Sequence, residues 1–307
     1  MYFYCSYFSG RKNQMKIIIK SVFIICVLLR ATTLLAIETI YFDRPKLATD
    51  KRGEDVEYIL KRVLEVTNDK YGEAKFEYTD KVMSRTRSLY EMQKGEEIHV
   101  MAAHPKPDWD ENAICIQFPL RRGLLSYRLF LIKERHQQLL SKVETLEQLK
   151  RIPTGSRTQW SISKALEENG FNLMQGIKYD LLFTMLDRER FLTFSRGISE
   201  IFGELKAYKQ KFPDLVIEKD LLLYVYIPTY FYVSPKKLIL AKRIEEGLSI
   251  LEKSGEFENI FQKFHADKIK KGNLENRRFF YINNPSISEE RYEADKKYLY
   301  FPKTKKN

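Results

Sequence analysis

The sequence predicts an α/β fold of two lobes, and three observations lead to it. Strand-like and helix-like segments alternate from about residue 38, an order typical of a sheet flanked by helices. A second run of the same kind begins near residue 129. Near residue 230 the chain turns to strand and helix again, as expected if it returns to the first lobe. We therefore expect each lobe to hold a central, mostly parallel sheet flanked by helices.

Hydrophobic spacing defines the elements of the first lobe. Residues 39–42 are predicted as a strand, and an apolar stripe with helical spacing runs over Glu54–Val66. A second strand is expected at 76–78. A helix at 85–93 ends at a glycine, and a buried strand follows at 98–103.

The second lobe is predicted to begin with a strand at 129–132. Apolar residues three or four apart then predict helices at Ser161–Glu168, Tyr179–Asp187 and 199–206. The returning part is expected to hold a strand, a long helix and a short helix, at 230–235, 238–251 and 256–265.

The segment 153–160 is the most informative stretch for binding. Its Thr154-Gly155-Ser156 run predicts a loop that opens a helix, with Ser156 or Thr158 as the capping residue. Backbone N–H groups at a helix start are suited to binding a carboxylate or a phosphate. The alternative is an ordinary strand-to-helix turn, because Thr-Gly-Ser is common turn chemistry.

This segment and the segments 166–171 and 185–191 after it resemble, in their residues and their order, the second lobe of bacterial extracellular solute-binding proteins of family 3. Members of that family deliver amino acids to ABC transporters. The resemblance runs from about residue 38 to residue 285. It implies the two-lobed type II periplasmic binding protein fold, with two crossing strands as a hinge near 123–128 and 224–230.

On that basis the chain divides into five parts. They are a signal peptide at 1–36, the first part of lobe I at 37–125, lobe II at 126–227, the second part of lobe I at 228–270, and a basic C-terminal extension at 271–307. The extension has few aliphatic residues and is expected to be poorly packed. Aromatic residues such as Phe279, Phe280 and Tyr281 are expected to pin part of it to the body.

The first 36 residues carry five basic residues and no acidic one, a composition typical of export signals. Met15 begins a better leader than Met1 does, with an apolar stretch at 17–29 and cleavage after Ala36. The stretch falls short of the roughly 20 apolar residues that a membrane span needs. We expect a periplasmic protein with a cleaved signal peptide. A retained N-terminal membrane anchor is the alternative, because Arg30 lies close to the cleavage site.

The net charge of +12 does not indicate nucleic-acid binding, because it is concentrated at the two ends of the chain. Residues 1–36 contribute +5 and residues 266–307 another +5, which leaves +2 for the body. A basic groove that follows a phosphate backbone is therefore not expected. The tail is predicted to be a solvated surface, or a patch attracted to anionic lipid or to a partner.

No enzyme motif or metal-ligand pattern stands out in the sequence. His99 and His104 lack a Cys or acidic companion and are predicted to be structural. The acidic residues around Trp109 are predicted to form a solvated loop. Cys115, the only cysteine after the leader, is expected to act as a small buried residue. We expect no catalytic residue, no cofactor and no metal.

Two features that hold amino acids in the family are missing here. The family's carboxylate-binding arginine is expected shortly before Phe118, where this chain has none. Where the family has an acidic residue for the ligand's amino group, this chain has Arg196. The resemblance thus implies a divergent member that does not bind a standard zwitterionic amino acid.

The predicted ligand-binding residues combine the loop with cations and aromatic walls. They are Tyr41, Arg44, Arg87, Thr154, Gly155, Ser156, Trp160 and Arg196. Further candidate cations are Arg121, Arg122 and Arg157. Two converging arginines would favour an anionic ligand through charge-assisted hydrogen bonds.

The resemblance implies a monomeric, exported protein that captures a small amino-acid-like or anionic solute between its lobes for an ABC-type permease. The alternative is a sensory or interaction protein on the same fold, with a membrane sensor as its partner. A lyase-like or dehydratase enzyme on this scaffold is a third class, and the sequence offers no recognisable acid/base pair for it.

Overall fold

The computed structural model describes residues 37–45, 51–158 and 160–302, except for the side chain of Lys51. The predicted signal peptide lies outside the described residues, as do Gln159 and the last five residues. The chain from Thr39 onward forms a single compact unit.

The described part of the chain contains twelve strands. They are β1 (Glu38–Phe42), β2 (Ala74–Tyr78), β3 (Val100–Ala103), β4 (Ile114–Ile116), β5 (Tyr127–Lys133), β6 (Thr154–Arg157), β7 (Leu173–Gly176), β8 (Thr193–Gly197), β9 (Leu215–Ile217), β10 (Leu221–Tyr224), β11 (Tyr230–Val233) and β12 (Arg278–Tyr281).

Twelve α-helices are described as well. They are α1 (Glu54–Val66), α2 (Asn68–Tyr71), α3 (Arg85–Lys94), α4 (Pro107–Asn112), α5 (Gln137–Ser141), α6 (Leu146–Arg151), α7 (Ser161–Glu168), α8 (Tyr179–Asp187), α9 (Ile198–Tyr208), α10 (Leu238–Lys253), α11 (Glu256–Gly272) and α12 (Glu289–Asp295). The predicted bounds of α1, α7 and α8 are confirmed, and α11 is longer than expected.

The strands form two sheets, one in each lobe. The strand order is β2-β1-β3-β11-β4 in lobe I and β12-β10-β5-β8-β6-β7 in lobe II, where β9 also pairs with β5. In lobe I, β3 is parallel to β1, while β11 is antiparallel to β3 and β4. In lobe II, β5 is antiparallel to β8, β9 and β10, and the remaining pairs are parallel.

The α/β class is confirmed, but the sheets are mixed rather than mostly parallel. The strand of opposite direction is in each case the first one after a crossing, β5 in lobe II and β11 in lobe I. The chain enters each lobe from the hinge along that strand, and the strands that run back toward the hinge are parallel to one another. The carboxyl ends of β3, β6 and β8 therefore face the space between the lobes.

Two crossing segments join the lobes, from β4 to β5 and from β10 to β11. They are hydrogen-bonded to each other: the Val225 N–H donates to the Ser126 carbonyl at 3.0 Å, and the Ile227 N–H donates to the Ser126 hydroxyl at 2.9 Å. The Leu120 N–H donates to the Thr229 carbonyl at 2.9 Å. The hinge is thus a pair of bonded segments at the expected positions.

Close packing of α1 against α10 organises lobe I. The apolar stripe of α1 is buried, and Val63 is fully shielded from solvent. A Cβ at Gly247 of α10 would lie 2.6 Å from Val63 Cγ1, so only glycine allows this approach. In lobe II one apolar cluster surrounds Phe130 and another surrounds Phe194. The two clusters lie on opposite faces of the same sheet.

The expectation of a poorly packed C-terminal extension is wrong. β12 pairs in parallel with β10 and extends the lobe II sheet. The pinning role expected of the aromatic residues holds for Phe280, which is 7% exposed, whereas Phe279 and Tyr281 are about half exposed. Phe280 and Ile282 pack into an apolar cluster of lobe II, and the low aliphatic content of the segment hides this packing in the sequence.

The segment after β12 also reaches the hinge and lobe I. The Ile282 N–H donates to the Tyr224 carbonyl at 3.1 Å, and the Tyr300 N–H donates to the Arg122 carbonyl at 2.8 Å. The hydroxyl of Tyr127 donates to the Tyr300 carbonyl at 2.9 Å. We call residues 282–302 the strap. None of the helices in the described ranges is long and apolar enough to cross a membrane.

Candidate functional site

A cavity of about 150 Å³ lies between the two lobes, at the carboxyl ends of β3, β6 and β8. It is lined by Arg52, His104, Leu125, Arg128, Trp160, Ser161, Ile162, Arg196, Glu200 and Ile227. Lobe I, lobe II and both crossings all contribute to the wall. Ligands of open α/β sheets bind at the carboxyl ends of strands, so this position is the one expected of a binding site.

The volume of the cavity limits what it can hold. Pockets for drug-sized molecules measure roughly 300 to 1,000 Å³. A cavity of about 150 Å³ accommodates a molecule the size of benzene, which has six non-hydrogen atoms. In this arrangement of the lobes the cavity therefore suits a compact solute.

Arg196, at the end of β8, is buried and paired with two carboxylates. Its Nε donates to Glu204 at 2.7 Å, and its Nη2 lies 2.6 Å from Glu204 and 3.2 Å from Glu200. Its guanidinium also lies over the ring of Trp160, 4.4 Å from the ring centre. Burial acts to lower the pKa of Arg196, but the two carboxylates outweigh it and raise that pKa. The charge of Arg196 is thus neutralised within the protein.

Arg128, at the start of β5, is buried without such a partner. Its side chain donates to the carbonyl and hydroxyl of Ser195, at 2.8 and 3.3 Å, and to the Leu125 carbonyl at 3.4 Å. No carboxylate of the described residues lies within 4.0 Å of it. Burial lowers the pKa of Arg128 to about 10, although Glu200 acts in the opposite direction. The cavity wall therefore contains a buried cation that only neutral groups contact.

His104, from lobe I, presents a neutral imidazole to the cavity. Burial lowers its pKa to about 4. Its Nδ1 lies 2.7 Å from the Pro228 carbonyl, and because a carbonyl can only accept, Nδ1 carries the proton. Nε2 is then left as a hydrogen-bond acceptor.

Glu200 supplies the negative charge of the cavity. Burial acts to raise its pKa, but Arg196, Arg128 and Arg52 outweigh it and lower that pKa. Arg52, an exposed residue of lobe I, lies over the ring of Tyr179 in lobe II, 5.6 Å from its centre. Charges from both lobes thus act on the same small volume.

The predicted loop at Thr154, Gly155 and Ser156 is instead the interior strand β6, which is a correction. The strand pairs with β7 on one side and β8 on the other, so its amides are used in the sheet. Thr154 bonds to Thr193 at 2.7 Å and Ser156 to Ser163 at 2.6 Å. The helix begins four residues later, at Ser161, and neither Ser156 nor Thr158 caps it. None of these three residues lines the cavity.

Trp160 and Arg196 are the two predicted binding residues that the fold brings to the cavity. The others lie elsewhere. Tyr41 packs its ring edge-on against His99, Arg44 is exposed and bonds to Thr79, and Arg87 is exposed and paired with Glu91.

The further candidate cations serve structural contacts. Arg121 forms a two-point ion pair with Asp55, at 2.5 and 2.7 Å. Arg122 pairs with Glu252 at 2.9 Å and donates to the Tyr298 carbonyl at 3.0 Å. Arg157 donates to the Ile177 carbonyl at 2.9 Å.

Two minor expectations change as well. The acidic run around Trp109 is the short helix α4 rather than a solvated loop, and Asp110 is bonded to Tyr232 at 2.7 Å and Arg291 at 2.8 Å. Cys115 is partly buried, and burial raises the pKa of its thiol to about 11. Among the described residues no group of three His, Cys, Asp or Glu side chains is placed to hold a metal ion.

Sequence reasoning missed Arg128, Glu200 and Arg52, and it gave His104 a structural role. The predicted crossing at 123–128 ends at Arg128, so its position beside the hinge was a usable signal. The absence of a carboxylate next to Arg128 could not be predicted, because the neighbours of a buried side chain come from residues distant in the chain.

No protein-family model and no curated protein matches the sequence. Solved structures do match it. An ancestral arginine-binding protein bound to glutamine aligns with a TM-score of 0.53 and 14% identity, over 75% of this chain and 99% of its own. An ancestral arginine-binding protein bound to arginine aligns with a TM-score of 0.51 and 16% identity, over 74% and 98%.

A histidine kinase sensor domain with similarity to periplasmic binding proteins aligns with a TM-score of 0.52 and 15% identity, over 75% of this chain and 96% of its own. Likeness at this level of identity concerns the fold. The chain therefore has the two-lobed α/β fold of periplasmic amino-acid-binding proteins.

Proposed function

We propose that this chain is an exported solute-binding protein that holds a small solute in the cavity between its lobes. One observation carries the proposal: a cavity with charged and apolar walls, lined by both lobes and both crossings, lies at the carboxyl ends of the strands. The ligand is a small anionic or amino-acid-like solute, and binding involves no covalent chemistry.

Binding at this position favours closure of the lobes. A solute that touches both walls stabilises the closed arrangement over an open one, and the bonded crossings serve as the hinge. A membrane permease of the ABC type then recognises the closed form. Small-angle scattering is expected to show compaction on addition of a solute that binds, with each lobe unchanged.

A sensory role is the second candidate, and one observation favours it. The match to a histidine kinase sensor domain is as good as the match to an ancestral arginine-binding protein, with TM-scores of 0.52 and 0.53. Loss of uptake of the identified solute in a deletion strain supports transport. Unchanged uptake with a lost transcriptional response supports sensing.

Export rests on the acid-free, basic and apolar first 36 residues. Mass analysis of the protein from the periplasm is expected to show a chain that starts near Ile37. A chain that keeps residues 15–36 supports the anchored form instead.

The binding proposal is tested by thermal unfolding with amino acids, organic acids and small phosphates, since a ligand of the native state raises the melting temperature by mass action. Ser161→Phe places a ring at the cavity wall and is expected to abolish the shift. Lys164→Phe, on the exposed side of the same helix, is the control and leaves the shift intact. A shift that Ser161→Phe does not change places the solute outside the cavity and refutes the proposal.

A further inference from the structure

We infer that the cavity recognises a compact oxyanion, a carboxylate or a phosphate of about six or fewer non-hydrogen atoms, with Arg128 as its anchor. The inference rests on the proposed function and specifies the ligand of the same site. It differs from the sequence-based expectation, which placed the anion at Thr154, Gly155 and Ser156 with Arg196 or Arg87 assisting.

The two buried arginines of the wall differ in one respect. Arg196 contacts the carboxylates of Glu204 and Glu200, so its charge is already balanced. Arg128, 4% exposed, donates hydrogen bonds to Ser195 and to the Leu125 carbonyl, and no carboxylate of the described residues lies within 4.0 Å of it. An anion that enters the cavity therefore gains more electrostatic stabilisation from Arg128 than from Arg196.

Arg128 also retains unused donors. A guanidinium has about five N–H groups. Three hydrogen bonds to protein atoms are formed, one from Nε and one from each Nη. One N–H on each Nη remains, and such a pair matches the two oxygens of a carboxylate or phosphate.

Burial of a charge without a contacting carboxylate is unfavourable, and this cost favours the binding of an anion beside Arg128. A buried cation with no carboxylate in direct contact destabilises the protein. The more distant Glu200 offsets only part of this cost, and an anion that binds beside Arg128 relieves it further. The lowered pKa of Arg128, caused first by burial, reports the same imbalance. Arg121, which is largely buried and has a structural role, contrasts with Arg128 because it has a carboxylate partner in Asp55.

His104 adds a second element of recognition. His104 lines the cavity from lobe I and has Nε2 as an acceptor, whereas Arg128 lines it from lobe II. A solute with a hydroxyl or amino hydrogen near its oxyanion can bond to both. Lactate, with six non-hydrogen atoms, is therefore expected to bind more tightly than propionate, which has the acid but no such donor.

The experiment compares four probes by thermal unfolding and calorimetry: sodium lactate, sodium propionate, sodium phosphate and neutral propionamide, with ionic strength held constant with sodium chloride. At least one anion is expected to raise the melting temperature saturably, and propionamide is not. Lactate and phosphate as separate arms distinguish a carboxylate ligand from a phosphate ligand. Four ineffective probes, or propionamide as effective as propionate, would overturn the inference.

Variants then locate the anchor. Arg128→Gln is expected to weaken binding of the effective anion by about 10- to 100-fold, the usual effect of losing a charged hydrogen bond. Arg128→Lys keeps the charge and is expected to recover part of that loss. Arg157→Gln removes an arginine of the same lobe outside the cavity and is the matched control, with unchanged affinity.

Stability without ligand separates an anchor from a structural arginine. Because Arg128 is an unbalanced buried charge, the ligand-free melting temperature of Arg128→Gln is expected to equal or exceed that of the wild type. A large fall in that temperature, with anion affinity unchanged in Arg128→Gln, assigns a structural role and refutes the inference.

The proposed function can survive failure of this inference. If a neutral solute binds, and its binding is abolished by Ser161→Phe but unaffected by Arg128→Gln, the cavity is the binding site but the ligand is not an oxyanion. Solute binding that Ser161→Phe leaves unchanged would refute both the proposed function and the oxyanion inference.

Discussion

The carboxylate of Asp295 accepts a hydrogen bond from the hydroxyl of Tyr226 at 2.5 Å. Tyr226 lies in the second crossing, whereas Asp295 belongs to the strap, 69 residues further along the chain. Asp295 also accepts from Tyr230, the first residue of β11, and is 1% exposed. Burial raises the pKa of Asp295, and both hydroxyls act against that rise. One side chain of the strap thus holds both ends of a crossing.

We expect Asp295→Ala to lower the free energy of unfolding by about 2 to 4 kcal/mol, because it leaves two buried hydroxyls without an acceptor. Asp295→Asn keeps an acceptor oxygen and is expected to cost less. Glu293→Ala, an exposed residue of the same helix paired with Lys296, is the control and is expected to change stability by less than about 0.5 kcal/mol. Urea unfolding measures all three, and equal values for the first and third variants would contradict a structural strap.

Two glycines are expected to respond in opposite directions. A Cβ at Gly155 would lie 2.2 Å from the ring of Phe191, so Gly155→Ala is expected to destabilise by about 2 kcal/mol or more. Gly203 lies exposed within α9 with nothing near its Cβ position, and Gly203→Ala is expected to stabilise by about 0.5 to 1 kcal/mol. Thermal unfolding distinguishes the two signs, and Phe191→Leu should partly relieve the first. Tolerance of alanine at Gly155 would show that the strand interior is looser than described.

The Arg196–Glu204 pair is expected to act on stability more than on binding. Glu204→Gln leaves a buried arginine with a weaker partner, and one-sided loss of a buried ion pair costs about 3 to 5 kcal/mol. Arg196→Met combined with Glu204→Leu removes both charges and is expected to cost less than the two single changes together. Arg135→Ala, which breaks an exposed pair with Glu189, serves as the comparison and should cost less than about 1 kcal/mol. Additive effects at Arg196 and Glu204 would show that the pair is not energetically coupled.

The stability of the protein is expected to rise with pH between about 4 and 6.5 because of His104. In the unfolded chain an ordinary imidazole binds a proton below pH 6.5, whereas in the folded chain His104 does so only near pH 4. Its contribution is therefore complete above pH 6.5 and is lost as the pH falls, by an amount on the order of 3 kcal/mol. His265, whose pKa burial also lowers, acts in the same direction. Urea midpoints of the wild type and His104→Gln across this range measure the effect, and an identical slope for both proteins would contradict it.

Periodicity along the chain was sufficient for much of the fold. Helices α1, α7 and α8 begin and end where the apolar spacing predicts, because an amphipathic stripe is a local property of successive residues. The two crossing segments lie near the positions that the family resemblance implied, between β4 and β5 and between β10 and β11. The prediction of a loop at Thr154-Gly155-Ser156 was wrong, because these residue types also occur in strands. Here the strand is hydrogen-bonded to a neighbour on each side, and the glycine leaves space for the ring of Phe191.

The C-terminal region shows the limit of composition. Its charge and low aliphatic content predicted a solvated tail, yet Phe280 and Asp295 dock it through contacts with β10 and the second crossing. Whether a polar segment packs depends on the surface that receives it, and that surface is formed by residues more than fifty positions earlier in the chain.

The sequence by itself determined the fold class, which is two α/β lobes joined by two crossing segments. Export and a site without catalytic residues stay predictions. Only the tertiary structure decided which charges meet in the cavity. Arg128 and Arg196 are the same residue type on neighbouring strands, but Glu204, eight residues beyond Arg196, contacts Arg196 directly, while no carboxylate of the described residues lies within 4.0 Å of Arg128. Electrostatic balance depends on distances of a few ångströms across the fold, and these are set by packing rather than by position in the chain.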